Sequence, residues 1–137
     1  MAQAGGDALT EVDFIARVRA NPVNAVLLDR LPDLGLPDAY LTAGCLFQAV
    51  WNQHCGRASD WGVRDYDVFY FDATDLSRQA EADTEARVRC VVSDLDAVVE
   101  VKNQARVHTW YREWFGADYP ALGCTRAGID RFLVNCT

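Results

Sequence analysis

Two aspartates separated by one residue, Asp65 and Asp67, open the strand-like run Asp65-Tyr66-Asp67-Val68-Phe69-Tyr70-Phe71-Asp72. Alternate residues of a strand project to the same face, so the two carboxylates stand together, with Cα atoms roughly 6.5–7 Å apart. Both are ionised at neutral pH and repel each other. In an otherwise apolar strand that is costly unless a cation lies between them. A divalent ion suits the position, because Mg²⁺ takes one or two carboxylates, keeps waters and is completed by phosphate oxygens. Some twenty residues earlier, Gly44-Cys45 stands between a short apolar run and a helical pattern. A glycine there lets a phosphate approach the backbone, and the first turn of the helix offers free N–H groups. A phosphate tail on Gly44 and a metal on Asp65 and Asp67 would together serve phosphoryl or nucleotidyl transfer.

The elements that must position these groups are legible in the pattern. Ala39–Ala43 reads as a buried strand, Cys45–His54 as a helix with its apolar stripe on Leu46, Phe47, Val50 and Trp51, and residues 55–64 as a polar loop. Residues 65–72 form the clearest strand, apolar on both faces, which predicts a central strand covered on each side. A charged helix over 78–92 and a third strand over 97–103 follow, then a helix over 105–115 stopped by Gly116. Before the site, Thr10-Glu11-Val12-Asp13 predicts a capped helix from Glu11 to Asn21-Pro22, and Val23–Leu31 a second helix. Residues 32–38 read as a loop. After it, Thr125 is expected to cap a last short helix holding Ile129, Phe132 and Leu133. The order α-α-β-α-β-α-β-α-α predicts an α+β (α/β-like) domain, a small three-stranded mixed sheet flanked by helices.

At 137 residues the chain has room for one domain, read here as 10–137 behind a disordered tail over 1–9. Thirteen basic residues against twenty acidic ones give a net charge of −7, which argues against a general nucleic-acid binder. No apolar run approaches the roughly 18 residues of a membrane span, and no secretory signal opens the chain, so the cytoplasm is expected. Cys45, Cys55, Cys90, Cys124 and Cys136 are scattered, odd in number and without a CxxC spacing, as in a reduced compartment. His54 beside Cys55 has no second pair to complete a metal site. The apolar end, Phe132–Thr137, reads as a chain cut short.

Gly44 with its helix and Asp65-Tyr66-Asp67 resemble the signature of the nucleotidyltransferase superfamily, which has the polymerase beta-like fold. More closely, Ala43-Gly44-Cys45, Val50-Trp51-Asn52, the run from Asp65 to Asp72, Asp75-Leu76-Ser77 and Val101–His108 resemble a small bacterial family of nucleotidyltransferases. The resemblance implies a nucleotidyltransferase-like fold and transfer of a nucleoside monophosphate from a nucleoside triphosphate, with Mg²⁺ or Mn²⁺ as cofactor. It implies metal ligation by Asp65 and Asp67, with Glu100 the natural candidate for the third carboxylate on a later strand. Gly44 and Cys45 match its Gly-Ser or Gly-Gly pair. At Cys45 the serine hydroxyl that would meet a phosphate is missing, and the backbone N–H is retained. Related sequences continue past Thr137 with a further strand and helix.

Around that centre, Lys102 is the expected nucleotide-binding cation, and Arg106 a weaker candidate. Asn103 and Gln104 are placed to hydrogen-bond loops near the site. His108 is expected to be structural, and Trp51, Trp110, Tyr111, Trp114 and Phe115 core or helix-packing residues. The acceptor is left open among a small alcohol, a protein side chain and an RNA end, the acidic charge disfavouring a long nucleic acid. A degenerate module that binds nucleotide or a protein partner is the alternative. A HAD-like or Toprim phosphatase fits poorly, because a HAD-like site has its apolar run before the DxD and here the run follows it.

Overall fold

The computed structural model describes residues 8–131. Phe132 and Leu133, expected on the last helix, lie outside the described residues. Helix α1 (Glu11–Arg19) starts where the capping pattern predicts, the Thr10 hydroxyl oxygen accepting from the Asp13 N–H at 3.1 Å. Asn21 then caps α2 (Pro22–Arg30): its Oδ1 accepts from the N–H groups of Val23 and Asn24, and Pro22 occupies the first turn, where its missing N–H costs nothing. The Asn21 amide also donates to the Tyr66 hydroxyl at 3.0 Å and so ties this cap to the sheet. The expected loop at 32–38 begins with a 3-10 turn over Leu31–Leu34, closed by Gly35 in the left-handed region (φ 66°).

Three strands form one mixed sheet in the order β1-β2-β3. Strand β1 (Tyr40–Thr42) is antiparallel to β2 (Asp65–Tyr70), and β2 is parallel to β3 (Val98–Asn103). Helix α3 (Gly44–His54) follows β1 directly, and α4 (Arg78–Val91) supplies the crossover that a parallel pair requires. Strand β2 is central, as its composition predicts. It is not covered equally on both faces: Tyr66, Val68 and Tyr70 are buried, while Asp65, Asp67 and Phe69 are exposed or half-buried. The core is therefore one-sided, with Leu41, Val68, Val99 and Val101 packed against Leu27, Leu34, Cys45, Val88 and Val92.

Helix α4 also finishes the sheet edge. The Glu81 and Glu85 carboxylates accept from the N–H groups of Asn103 and Val101, at 2.8 and 2.9 Å, and the Arg89 guanidinium donates to the Val99 carbonyl at 2.7 Å. Four residues of helix advance about 6 Å and two residues of strand about 6.6 Å, so side chains at every fourth helical position meet successive outward backbone groups. The ladder occupies hydrogen-bonding groups that an edge strand would otherwise present to another chain. Beyond β3, a 3-10 turn (Gln104–Arg106) leads into α5 (Val107–Phe115), which Gly116 ends in the left-handed region (φ 70°).

Helix α6 (Thr125–Ile129) differs from expectation at its start. Cys124 is the flanking residue, and Thr125 is fully buried inside the helix with its N–H held by the Asp38 carboxylate at 2.8 Å. Of the aromatic residues expected in the core or in helix packing, Trp110 and Tyr111 are half-buried and in ring contact with each other, and three others are exposed. Trp51 and Trp114 are 57% and 76% exposed, and Phe115 is exposed as well. No helix among the described residues is long and apolar enough to cross a membrane.

Candidate active site

The half-open face of the sheet is ordered in rows by the strand register. Thr42, Asp67 and Glu100 are cross-strand partners and form the middle row. Asp65 and Val98 form the row below it, and Tyr40, Phe69 and Lys102 the row above. Since side chains alternate along each strand, Asp65, Asp67 and Glu100 share one face. Neighbouring strands lie about 4.8 Å apart, which brings the Asp67 and Glu100 carboxyl groups together. They do meet: burial, then the Asp65 charge, then the Glu100 charge and a hydrogen bond with Glu100 push the Asp67 carboxyl up to about 6, while Lys102 opposes the shift. The crowding of negative charge around Asp67 is relieved by a proton or by a cation.

The donor set is all oxygen and all carboxylate, which suits Mg²⁺ or Mn²⁺. It is not a closed cage: among the described residues no group of three or more His, Cys, Asp or Glu side chains stands at metal-holding distances. Asp67 and Glu100 are the contacting pair, and Asp65 lies at the margin on the side of the β1–α3 turn.

That turn carries the sharpest backbone feature of the chain. Ala43 adopts φ 66° and ψ −146°, a conformation that is open to glycine and costs other residues about 1–3 kcal/mol. The strained residue of the turn is thus Ala43, and Gly44 is the first residue of α3. A Cβ on Gly44 would meet nothing within 4 Å, so the backbone there faces open space. Ala43 makes no side-chain cap to α3, which leaves the first-turn N–H groups without a capping side chain. A cleft of about 200 Å³ joins Gly44, Cys45 and Gln48 to Gly62, Val63, Arg64 and Asp65, so the turn and the first aspartate line the same hollow. An adjoining groove of about 410 Å³ runs along α3 past Gln48 to Trp51 and Arg57.

Cys45 is 2% exposed and belongs to the core; its Sγ donates to the Thr42 carbonyl at 3.3 Å. Burial pushes its thiol up to about 12, so it stays neutral, and only the backbone N–H of this residue is suited to a phosphate. Lys102 stands across the carboxylate row from Gly44. Its Nζ lies 3.8 Å from Glu85 Oε2, and its Cα is roughly 13 Å further along the strand direction than the Asp65 row. The structure thus brings Asp67 to Glu100 and Asp65 to Gly44, and does not bring Lys102 to the turn.

Of the weaker candidates, Arg106 is committed elsewhere, its guanidinium 2.8 Å from Glu81 in a pair nearly closed to solvent. Asn103 does tie a loop beside the site: its Oδ1 accepts from the N–H groups of Asp72 and Ala105, and its amide donates to the Asp72 carbonyl. His108 Nδ1 is buried and has no hydrogen-bond partner among the described residues. Thr42 and Ala43 are the residues that the pattern did not single out. Their signal was the absence of glycine at 43 in a strand that turns at once into a helix, which only the dihedral angles resolve.

A family model described as Nucleotidyltransferase matches residues 29–137. Among solved structures, the chain is similar to one whose NMR structure reveals a CCA-adding enzyme head domain, with a TM-score of 0.72 and 23% sequence identity. That match covers 96% of this chain and 64% of the other, so the chain spans under two thirds of its structural neighbour. At that identity the likeness speaks for the fold. No curated protein matches.

Proposed function

The chain belongs to the nucleotidyltransferase family, and from that premise we propose that it transfers a nucleoside monophosphate from a nucleoside triphosphate to an acceptor oxygen, releasing pyrophosphate. Asp65, Asp67 and Glu100 would hold a Mg²⁺ or Mn²⁺ ion, which when bound supplies positive charge to the triphosphate oxygens. The observation that carries this assignment is the Asp67–Glu100 carboxyl contact, on the face and at the end of the sheet where Gly44 opens α3. A half-buried carboxylate pair of that kind is unfavourable in itself and becomes favourable when a cation lies between the two groups.

The remaining work falls to the backbone. The uncapped N–H groups at Gly44 and Cys45 would receive the β- and γ-phosphates, and the partial positive charge of the helix N-terminus would favour the pyrophosphate as it leaves. The strained Ala43 holds those N–H groups in place before substrate arrives, so little reorganisation is needed in the reaction. The unpaired thiols of Cys45, Cys55, Cys90 and Cys124 support a reducing, cytoplasmic setting.

Calorimetry of the four nucleoside triphosphates with Mg²⁺ or Mn²⁺, on wild type and on Asp65→Asn/Asp67→Asn, tests the proposal. Metal-dependent binding that disappears in the double variant is expected. Folded wild-type protein that binds no triphosphate would refute it. The open ligand set and the buried Cys45 side chain favour a second reading, a module that binds nucleotide without turnover. Binding without pyrophosphate release across a panel of alcohols would select it.

A further inference from the structure

We infer that Arg64 is the cation that binds the triphosphate tail at Gly44, the role that the sequence suggests for Lys102. The inference rests on the proposed function and names the side chain by which that site holds the β- and γ-phosphates of its donor. A triphosphate brings several negative charges to a site that already holds three carboxyl groups, and one divalent ion offsets only part of them. The partial charge of a helix N-terminus is smaller still. A guanidinium suits the remainder, because its planar fork donates parallel hydrogen bonds to phosphate oxygens.

The hollow beside Gly44 contains such a group. Its volume is about 200 Å³, against roughly 30 Å³ for each water of the liquid, so it admits two linked phosphate groups. Gly44, Cys45, Arg64 and Asp65 line it together, and Arg64 is the basic residue among the described residues of that lining. Arg64 is exposed, and its guanidinium has no ion pair and no hydrogen-bond partner among the described residues. Asp60 and Asp96 line a neighbouring groove with it, yet neither pairs with it. A guanidinium left unpaired in a chain of net charge −7 is available to an anionic ligand. Lys102, by contrast, lies 3.8 Å from Glu85 and beyond the carboxylate row.

Helix α3 fixes this arrangement. Asn52 on that helix is 2% exposed; its amide donates to the carbonyls of Ser59 and Trp61, at 3.2 and 2.7 Å, and its Oδ1 accepts from the Gln48 amide at 2.8 Å. The loop after α3 is thereby folded back along the helix that Gly44 opens. The Val63 N–H donates to the Asp60 carbonyl at 3.1 Å, and Gly62 turns in the left-handed region (φ 72°), which brings Arg64 to the hollow at the first turn of α3. One helix therefore frames both the uncapped N–H groups and the arginine. In the transfer the acceptor oxygen bonds to the α-phosphorus, the bond from that phosphorus to the bridging oxygen breaks, and the acceptor proton passes to water. Pyrophosphate leaves with the electron pair, and Arg64 meets the charge that develops on it.

The test titrates the full chain calorimetrically with Mn²⁺ alone, and then, in excess Mn²⁺, with tripolyphosphate and with α,β-methylene-ATP. Arg64→Met should weaken both polyphosphates by about tenfold or more and leave the affinity for Mn²⁺ alone no weaker than in wild type. Arg64→Lys should recover part of the loss, since it restores the charge without the fork. Arg126→Met, which removes the same charge on α6 outside the hollow, should bind as wild type does. Both Arg64 variants should keep the wild-type melting midpoint in EDTA, because the guanidinium has no partner to lose. Three outcomes would overturn the inference. One is an Arg64→Met variant that binds tripolyphosphate as wild type does. Another is an equal loss of Mn²⁺ alone in that variant, which would give Arg64 a role in shaping the carboxylate site. The third is a loss in Arg126→Met as large as in Arg64→Met, which would reduce the effect to net charge. Wild type that binds no triphosphate sinks the proposed function itself, so the two failures are distinguishable.

Discussion

Replacing Asp67 by asparagine should stabilise this protein at neutral pH while removing a carboxylate of the proposed metal site. Asp67 titrates at about 6 in the folded chain against an ordinary 3.8, chiefly through burial and the charges of Asp65 and Glu100. The folded state therefore holds the proton more tightly than the unfolded state does. The group's contribution to stability is fully present below about pH 4 and is lost as the pH rises through 6. That rise in pKa corresponds to about 3 kcal/mol if taken in full, and the partial exposure of Asp67 reduces it to roughly 1–2 kcal/mol. The asparagine amide of the variant keeps the shape, carries no charge and can donate to Glu100. In EDTA at pH 7.5 the variant should melt roughly 4–8 °C above wild type, with the difference vanishing near pH 4. Adding Mn²⁺ should then raise the wild-type midpoint, by about 2.7 kcal/mol of stabilisation at a hundredfold excess over Kd, and leave the variant unmoved. Thermal unfolding followed by circular dichroism between pH 4 and 8 measures both effects. Parallel pH profiles for wild type and variant in EDTA, or a variant less stable at pH 7.5, would refute the carboxyl-pair account.

Ala43→Gly removes the strained dihedral at the β1–α3 turn; after the entropy lost to glycine, a gain of about 1 kcal/mol in urea unfolding is expected, and a loss would show that Ala43 is not strained. Glu85→Ala orphans the Val101 N–H at the sheet edge and should cost about 1–3 kcal/mol, with faster amide exchange at Val101, whereas Glu85→Gln keeps an acceptor and should cost less. Equal losses in the two Glu85 variants would argue that the edge ladder contributes through charge alone. Gly128→Ala would drive a Cβ into Gln104 Oε1, with Leu122 at 3.1 Å, so it should lower the melting temperature by an amount corresponding to about 1–3 kcal/mol of overpacking. An unchanged midpoint would mean that α6 docks loosely on the Gln104 turn.

Local chemistry made much of this protein legible. The Thr10 cap, the aromatic run of β2, the start of α4 at Arg78 and the Gly116 stop each follow from forces that act within a few residues, and all appear where the pattern places them. The shared face of Asp65 and Asp67 follows likewise from the two-residue period of a strand. What lay beyond the sequence depended on partners distant along the chain. Strand register decides that Glu100 meets Asp67 and that Lys102 stands beyond it, and register is set by the pairing of two strands across a whole helix. Which face of β2 takes the larger share of burial was likewise decided by packing: Tyr66, Val68 and Tyr70 are buried in the core while Asp65, Asp67 and Phe69 are exposed or half-buried, a difference that a run apolar on both faces does not announce. The strain at Ala43 arises where a strand pinned at Thr42 must turn at once into a helix pinned through the buried Cys45, a conflict between two tertiary anchors that no single residue type announces.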